Sequence, residues 1–161
     1  MPSLISDKDL IEDDWHRADA DKKINPGDKV ILSLDRLLQQ GDQLITKRIA
    51  LGVELEPAAV LEQLLPFLEH LQIVVLRFDN FTDGRAFSQA RLLRDRYAYR
   101  ADIRAVGNVL CDQLTFMRRC GFNQFQLGDN EDIEFAFRSF GNISLHYQSE
   151  FKQAVSAPVD A

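Results

Sequence analysis

The chain has 161 residues, 45% apolar and 27% charged, which fits one globular domain with its own hydrophobic core. Its formal net charge of −6 argues against a dedicated nucleic-acid binder, because phosphate contacts dominate that kind of affinity. No apolar run approaches the ~20 residues that span a bilayer, Met1–Asp14 lacks the basic-then-apolar order of a secretory leader, and two cysteines are few for a secreted domain, so the expected setting is the cytoplasm with no membrane partner.

Residues 1–24 are polar and acidic with Trp15 as the one large anchor, and read as a poorly ordered arm or an edge segment. Asn25-Pro26-Gly27-Asp28 is a turn signal. Val30-Ile31-Leu32 reads as a short strand or as the lead-in to a helix through Leu37-Leu38, which Gly41 is expected to end. Ile49 to Leu55 alternates and is β-rich, so a strand is expected. Pro57 sits where a first helical residue belongs, and Val60, Leu61, Leu64 and Leu65 follow at helical spacing until Pro66 kinks or ends the helix. Ile73-Val74-Val75-Leu76 is an unbroken apolar run, as in a strand buried on both faces.

Asp79 to Asp83 reads as a loop, with Thr82 or Asp83 capping a helix that begins near Gly84 and puts Phe87, Ala90, Leu93 and Tyr97 on one face. Ile103 to Val106 is the next strand, and Gly107-Asn108 turns the chain. A helix over Val109 to Arg119 follows, with Leu110, Leu114 and Met117 as its stripe and Gly121 as its cap. Phe122 to Leu127 is a last strand, and a helix from Asp129-Asn130 carries Ile133, Phe137 and Phe140. Residues 151–161 are expected to be disordered. The alternation predicts a single α/β domain over 25–150, with a mostly parallel open sheet, or partial barrel, of four to five strands and flanking helices. That is too few strands for a closed eight-fold barrel.

Charge is uneven along the chain. Between Arg77 and Arg119 there are nine arginines, no lysine and five aspartates, a net of +4. The rest of the chain therefore carries −10. Basicity through arginine alone favours planar, bidentate pairing with carboxylates or oxyanions. Arg–Asp pairing within the domain is the competing explanation. Ligands of open parallel sheets bind beyond the carboxyl ends of the strands. Two successive strands here end in Thr82-Asp83-Gly84-Arg85 and in Gly107-Asn108. If those strands are neighbours, two helix N-termini and the Arg85 guanidinium converge on a place suited to sulfite, sulfate or phosphate.

No other pattern carries chemistry. Cys111 and Cys120 lie nine residues apart on one predicted helix, on opposite sides and ~13 Å apart along its axis, which excludes a shared disulfide or metal within that helix. Both read as small buried thiols. His16, His70 and His146 have no ligand spacing. Nucleophile-elbow, phosphate-loop, dinucleotide and iron–sulfur motifs are absent, so no cofactor and no metal are expected.

From Phe81-Thr82-Asp83-Gly84-Arg85 through Ser88, Ala90-Arg91 and Leu93-Arg94, the sequence resembles an uncharacterised bacterial family often encoded beside assimilatory sulfite reductase. The match continues over Arg104-Ala105-Val106-Gly107, Val109-Leu110, Asp112-Gln113-Leu114 and Arg118-Arg119-Cys120-Gly121-Phe122. The family is commonly labelled an oxidoreductase of sulfite reduction. Its usual pattern has Pro-Lys in place of Asp79-Asn80, Asp in place of Asn108 and Arg in place of Cys111. The resemblance implies an accessory protein of sulfite assimilation, binding the reductase or an electron donor through a surface that includes Arg91, Arg94, Arg118 and Arg119. The alternatives are a small oxyanion-binding enzyme or sensor with its site at Thr82, Asp83, Gly84, Arg85, Gly107 and Asn108, or purely structural Arg–Asp pairing.

Overall fold

The computed structural model describes residues 3–6, 8–18, 22–80 and 82–141. The expected tail over 151–161, His146 and Phe81 lie outside them. Seven strands form one sheet: β1 (Ser3–Ser6), β2 (His16–Arg17), β3 (Lys29–Ser33), β4 (Ala50–Leu55), β5 (Leu71–Phe78), β6 (Asp102–Gly107) and β7 (Gln124–Leu127). Their spatial order is β1-β7-β6-β5-β4-β3-β2. All neighbours are parallel except β1, which runs antiparallel to β7. The mostly parallel sheet is as expected; the count of four to five strands is not. The two extra strands come from the acidic arm. Edge strands need less apolar content than central ones, and both residues of β2 are exposed, so composition conceals them.

Strands β3 to β7 follow one another in space as they do in sequence, which places the crossover helices on one face. Those helices are α1 (Leu34–Thr46), α2 (Arg85–Arg91) and α3 (Leu114–Cys120), and α4 (Ile133–Ser139), which follows β7, joins their layer. The main core lies between them and the sheet. Leu32, Val53, Val74, Leu76, Ile103 and Phe125 from the strands meet Leu37, Leu44, Ala90, Leu93, Leu114, Met117 and Phe137 from the helical layer. The other face carries a small separate cluster of Ile31, Ile73, Val75 and Val106, against which Trp15 packs.

The N-terminal segment shows how strongly the sheet curls. Ile11 donates its N–H to Leu4 O of β1 at 2.9 Å, and five residues later the chain is in β2 at the opposite edge. Six gaps of ~4.8 Å would make a flat seven-stranded sheet about 29 Å wide. Five extended residues reach at most ~18 Å. The sheet must therefore bend until its edges approach one another, and it forms a half-barrel. Residues 11–15 are the strap across its open side.

Three helical expectations change. Gly41 does not end α1, which continues to Thr46. A Cβ on Gly41 would lie 2.7 Å from the Phe67 ring, so glycine serves close packing there, and buried Leu44 draws the helix onward. The segment after Pro57 forms only short 3₁₀ turns at Leu61–Leu64 and Leu68–His70, because Pro66 leaves too few residues for a stable α-helix. The helix expected over Val109 to Arg119 is a 3₁₀ turn at Cys111–Gln113 leading into α3. Gly121 ends α3 with φ of 119°, as expected of a left-handed cap. No helix among the described residues is long and apolar enough to cross a membrane.

Candidate functional site

The carboxyl rim of the sheet gathers the predicted anion-site residues. β5 and β6 are hydrogen-bonded neighbours with Phe78 opposite Gly107, so both predicted turns share one rim. Gly107 has φ of +86° and lies so close to β5 that a Cβ would fall 2.3 Å from Phe78 O. The tight turn sends Asn108 back across the strand ends, where its N–H donates to Phe78 O at 2.8 Å and its Nδ2 to Asp79 O at 2.8 Å.

The polar groups of the other turn satisfy each other. Thr82 donates from N and Oγ1 to Asn80 Oδ1 at 3.0 and 2.6 Å. Asp83 accepts the Arg85 N–H at 3.1 Å. It also accepts the guanidinium in bidentate fashion, with Nε at 3.0 Å and Nη2 at 2.7 Å. Gly84 is the N-cap and has no side chain to offer. The Arg85 hydrogen bonds hold the Asp83 carboxyl below the usual carboxylate range, and Asp83 holds the guanidinium above its ordinary value.

A lowered carboxyl pKa in the folded state stabilises the fold above the unfolded value of ~3.9, and the contribution is lost as pH falls through the folded value. Arg85 is exposed, so solvent screens the pair and the effect is small. Asp83→Asn should lower the melting temperature slightly at pH 7 and not at pH 2, measured by circular dichroism.

Further along the rim lies a charge ladder that the motif reading missed. Arg77 on β5 reaches Asp79 Oδ1 at 2.9 Å, Glu56 Oε1 at 3.1 Å and Glu54 Oε2 at 3.5 Å. Burial works against the Arg77 charge, but Asp79, Glu54 and Glu56 outweigh it and raise its pKa. Glu54 also pairs with Arg17 of β2. Its Oε1 lies within ion-pair reach of Arg17 Nη2 but off the hydrogen-bond direction, so that oxygen is compensated in charge without being hydrogen-bonded. Of these groups, Arg17, Glu54 and Glu56 border a cleft of about 400 Å³ at the ends of β2, β3 and β4, lined also by Ser33, Asp35 and Ala58. The signal was present in the sequence. Glu54 and Arg77 interrupt apolar strands near their carboxyl ends, and a period of two places them on one face.

The predicted partner surface lies on α2, α3 and the π-helical turn Leu92–Arg96 that extends α2. Arg94 turns inward. Its Nε donates to Gly121 O at 3.0 Å, and Nη1 donates to Tyr99 O and Ala101 O, each at 2.7 Å. Burial lowers its pKa. Arg91, Arg118 and Arg119 are exposed. Arg118 Nη1 approaches Phe140 O at 3.4 Å. Arg91 contacts Cys120 Sγ through Nε at 3.4 Å, and its guanidinium lies 5.9 Å from the Phe116 ring centroid. Phe116 is 46% exposed, and sequence reading passed over it because it falls outside the apolar stripe of its helix.

Both cysteines are buried, and neither forms a disulfide. Burial, with Glu131 beside it, pushes the Cys111 thiol up to about 12, the opposite of what a nucleophile needs. His16 and His70 are exposed and far apart along the chain. No group of three potential metal ligands exists among the described residues.

A model of a bacterial protein family of unknown function (DUF934) matches residues 52–157. The chain belongs to that family. The DUF934 match takes in both rim turns and the whole α2–α3 surface, and it begins within β4, after the strap, β2 and β3. No curated protein matches this DUF934 chain.

Proposed function

We propose that the protein is an accessory binding protein of assimilatory sulfite reduction, docking on an acidic face of the reductase or its electron donor through the α2–α3 surface. One observation carries the binding role. Arg91 and Arg119 are exposed without a carboxylate ion pair among the described residues; Arg91 lies over the exposed Phe116 ring, and Arg119 follows Phe116 by three residues on α3. Exposed aromatic and arginine side chains together are the usual anchors of protein interfaces. The rim is built differently, since Arg17, Arg77 and Arg85 are each already met by carboxylates. The choice of partner rests on the sequence resemblance over Phe81–Phe122.

The test is retention of the protein on immobilised sulfite reductase and on its electron donor at low ionic strength. Retention of the wild type is expected. The double reversal Arg91→Glu/Arg119→Glu should weaken binding at least ~10-fold, as expected when interfacial charges are inverted, with an unchanged melting temperature. Failure of the wild type to bind either protein at any salt concentration would overturn the proposal.

A further inference from the structure

We infer that residues 11–15 form a detachable latch, and that the sheet face beneath them binds an extended acidic segment of a partner protein carrying an aromatic side chain. This surface lies on the opposite side of the sheet from α2 and α3, and the inference stands whether or not those helices bind a partner.

Consider first what holds the strap. Its main chain is tied at the ends, through Ile11 N–H to Leu4 O and through Ala18 N–H to Ile31 O. Between those points no main-chain hydrogen bond joins Glu12–Trp15 to described residues of the sheet. The grip comes from side chains. Asp13 pairs with Arg104 at 3.1 Å, and Asp14 pairs with Lys29 at 2.7 Å. Trp15 covers Ile31, Ile73, Val75 and Val106, with Lys29 Nζ 4.9 Å from its ring centroid. Asp13 and Asp14 themselves remain 47% and 64% exposed. A segment with few main-chain bonds and half-wet ion pairs opens locally at low cost.

Consider next what release would uncover. Arg104 is only 4% exposed. Apart from Asp13, its partner among the described residues is the neutral Gln124 Oε1 at 2.9 Å. The nearby Asp102 carboxylate is engaged by the amides of Asn123 and Gln124. Without the latch, a deeply set guanidinium would lose its carboxylate, a second cation would stand beside it at Lys29, and four apolar side chains would lose their aromatic cover. The groove therefore calls for two carboxylates and an aromatic ring on an extended chain, the pattern that Asp13, Asp14 and Trp15 supply. As an internal occupant at high effective concentration, the latch sets the affinity that an outside segment must exceed.

Trp15 is the chain's only tryptophan, so its emission reports the latch directly. The probe is a peptide with the sequence of Leu10–Arg17, bearing phenylalanine at the tryptophan position and a fluorescein label. Titrated into the full-length protein, it should shift Trp15 emission to longer wavelength and saturate. In Asp13→Asn/Asp14→Asn, where the latch grips less, peptide anisotropy should report at least ~10-fold tighter binding. Lys29→Ala or Arg104→Met should weaken the peptide's binding. No binding to either the wild type or the double variant would overturn the inference, as would equal binding of a scrambled peptide of the same charge. A concentration-dependent dimer of the wild type in sedimentation, abolished by the peptide, would assign the groove to the latch of a second copy and overturn the partner assignment.

Discussion

Replacing Gly107 with alanine is expected to lower the unfolding free energy by about 3 kcal/mol, measured by urea denaturation. Two costs combine. At φ of +86° an L side chain is strained by ~1–2 kcal/mol. The new methyl would also lie 2.3 Å from Phe78 O, an atom fixed in the pairing of β5 with β6, so the backbone itself must move. Gly128→Ala is the natural control. Nothing lies within 4 Å of its Cβ position, and its stability should change by less than ~0.5 kcal/mol. A loss below ~1 kcal/mol for Gly107→Ala would mean that the turn relaxes freely. The tight rim geometry that places Asn108 against Asp79 would then have to be abandoned.

Arg94→Met should cost a comparable amount, about 3 kcal/mol. The arginine joins the end of α3 at Gly121 to the loop at Tyr99 and Ala101 with three short bonds from one guanidinium. Charge-assisted bonds of this kind contribute ~1.5 kcal/mol or more apiece, and water recovers part of the loss for partly buried carbonyls. Methionine keeps most of the aliphatic stem, so the change isolates the hydrogen bonds. The comparison with Arg91 is the informative one. Both arginines sit on the same helical stretch three residues apart, yet Arg91→Glu should leave the denaturation midpoint unchanged. If Arg94→Met proved neutral, the carbonyl clamp would be an incidental contact, and Arg94 would rejoin Arg91 and Arg119 as a surface charge.

The central architecture was legible in the sequence because periodicity and burial agree there. The runs at Val30–Leu32, Ile49–Leu55, Ile73–Leu76, Ile103–Val106 and Phe122–Leu127 all contain strands. The glycine turns at Gly107 and Gly121 lie where the positive φ values are found. What escaped was structure whose stability comes from distant partners. β1, with only Leu4 and Ile5 buried, and the exposed β2 are short edge strands made possible by β7 and β3. The strap is held by Asp13 and Asp14, whose partners lie on β6 and β3. Gly41 looks like a helix stop until Phe67 is placed against it. Among the candidate residues, spacing identified the two rim turns, and the competing expectation of Arg–Asp pairing is the one that Arg85 and Asp83 follow. Spacing grouped four arginines by charge, although the Arg94 guanidinium points at backbone carbonyls.

The strand order also fixes a sequence of events during synthesis. From β3 to β7, each new strand is added beside the one made before it, so the growing chain can organise by local contacts as it leaves the ribosome. β1 is the exception. It is the first of the described strands to be made, and its neighbour in the described sheet is the last of them, with Ser3 opposite Leu127. β1 must therefore wait for β7 before it can dock, and closing that long loop follows the assembly of the other described strands. A nascent chain arrested before β7 emerges would present an unclosed edge and an unseated amino terminus, the state in which a chaperone or a neighbouring copy has its best opportunity to bind.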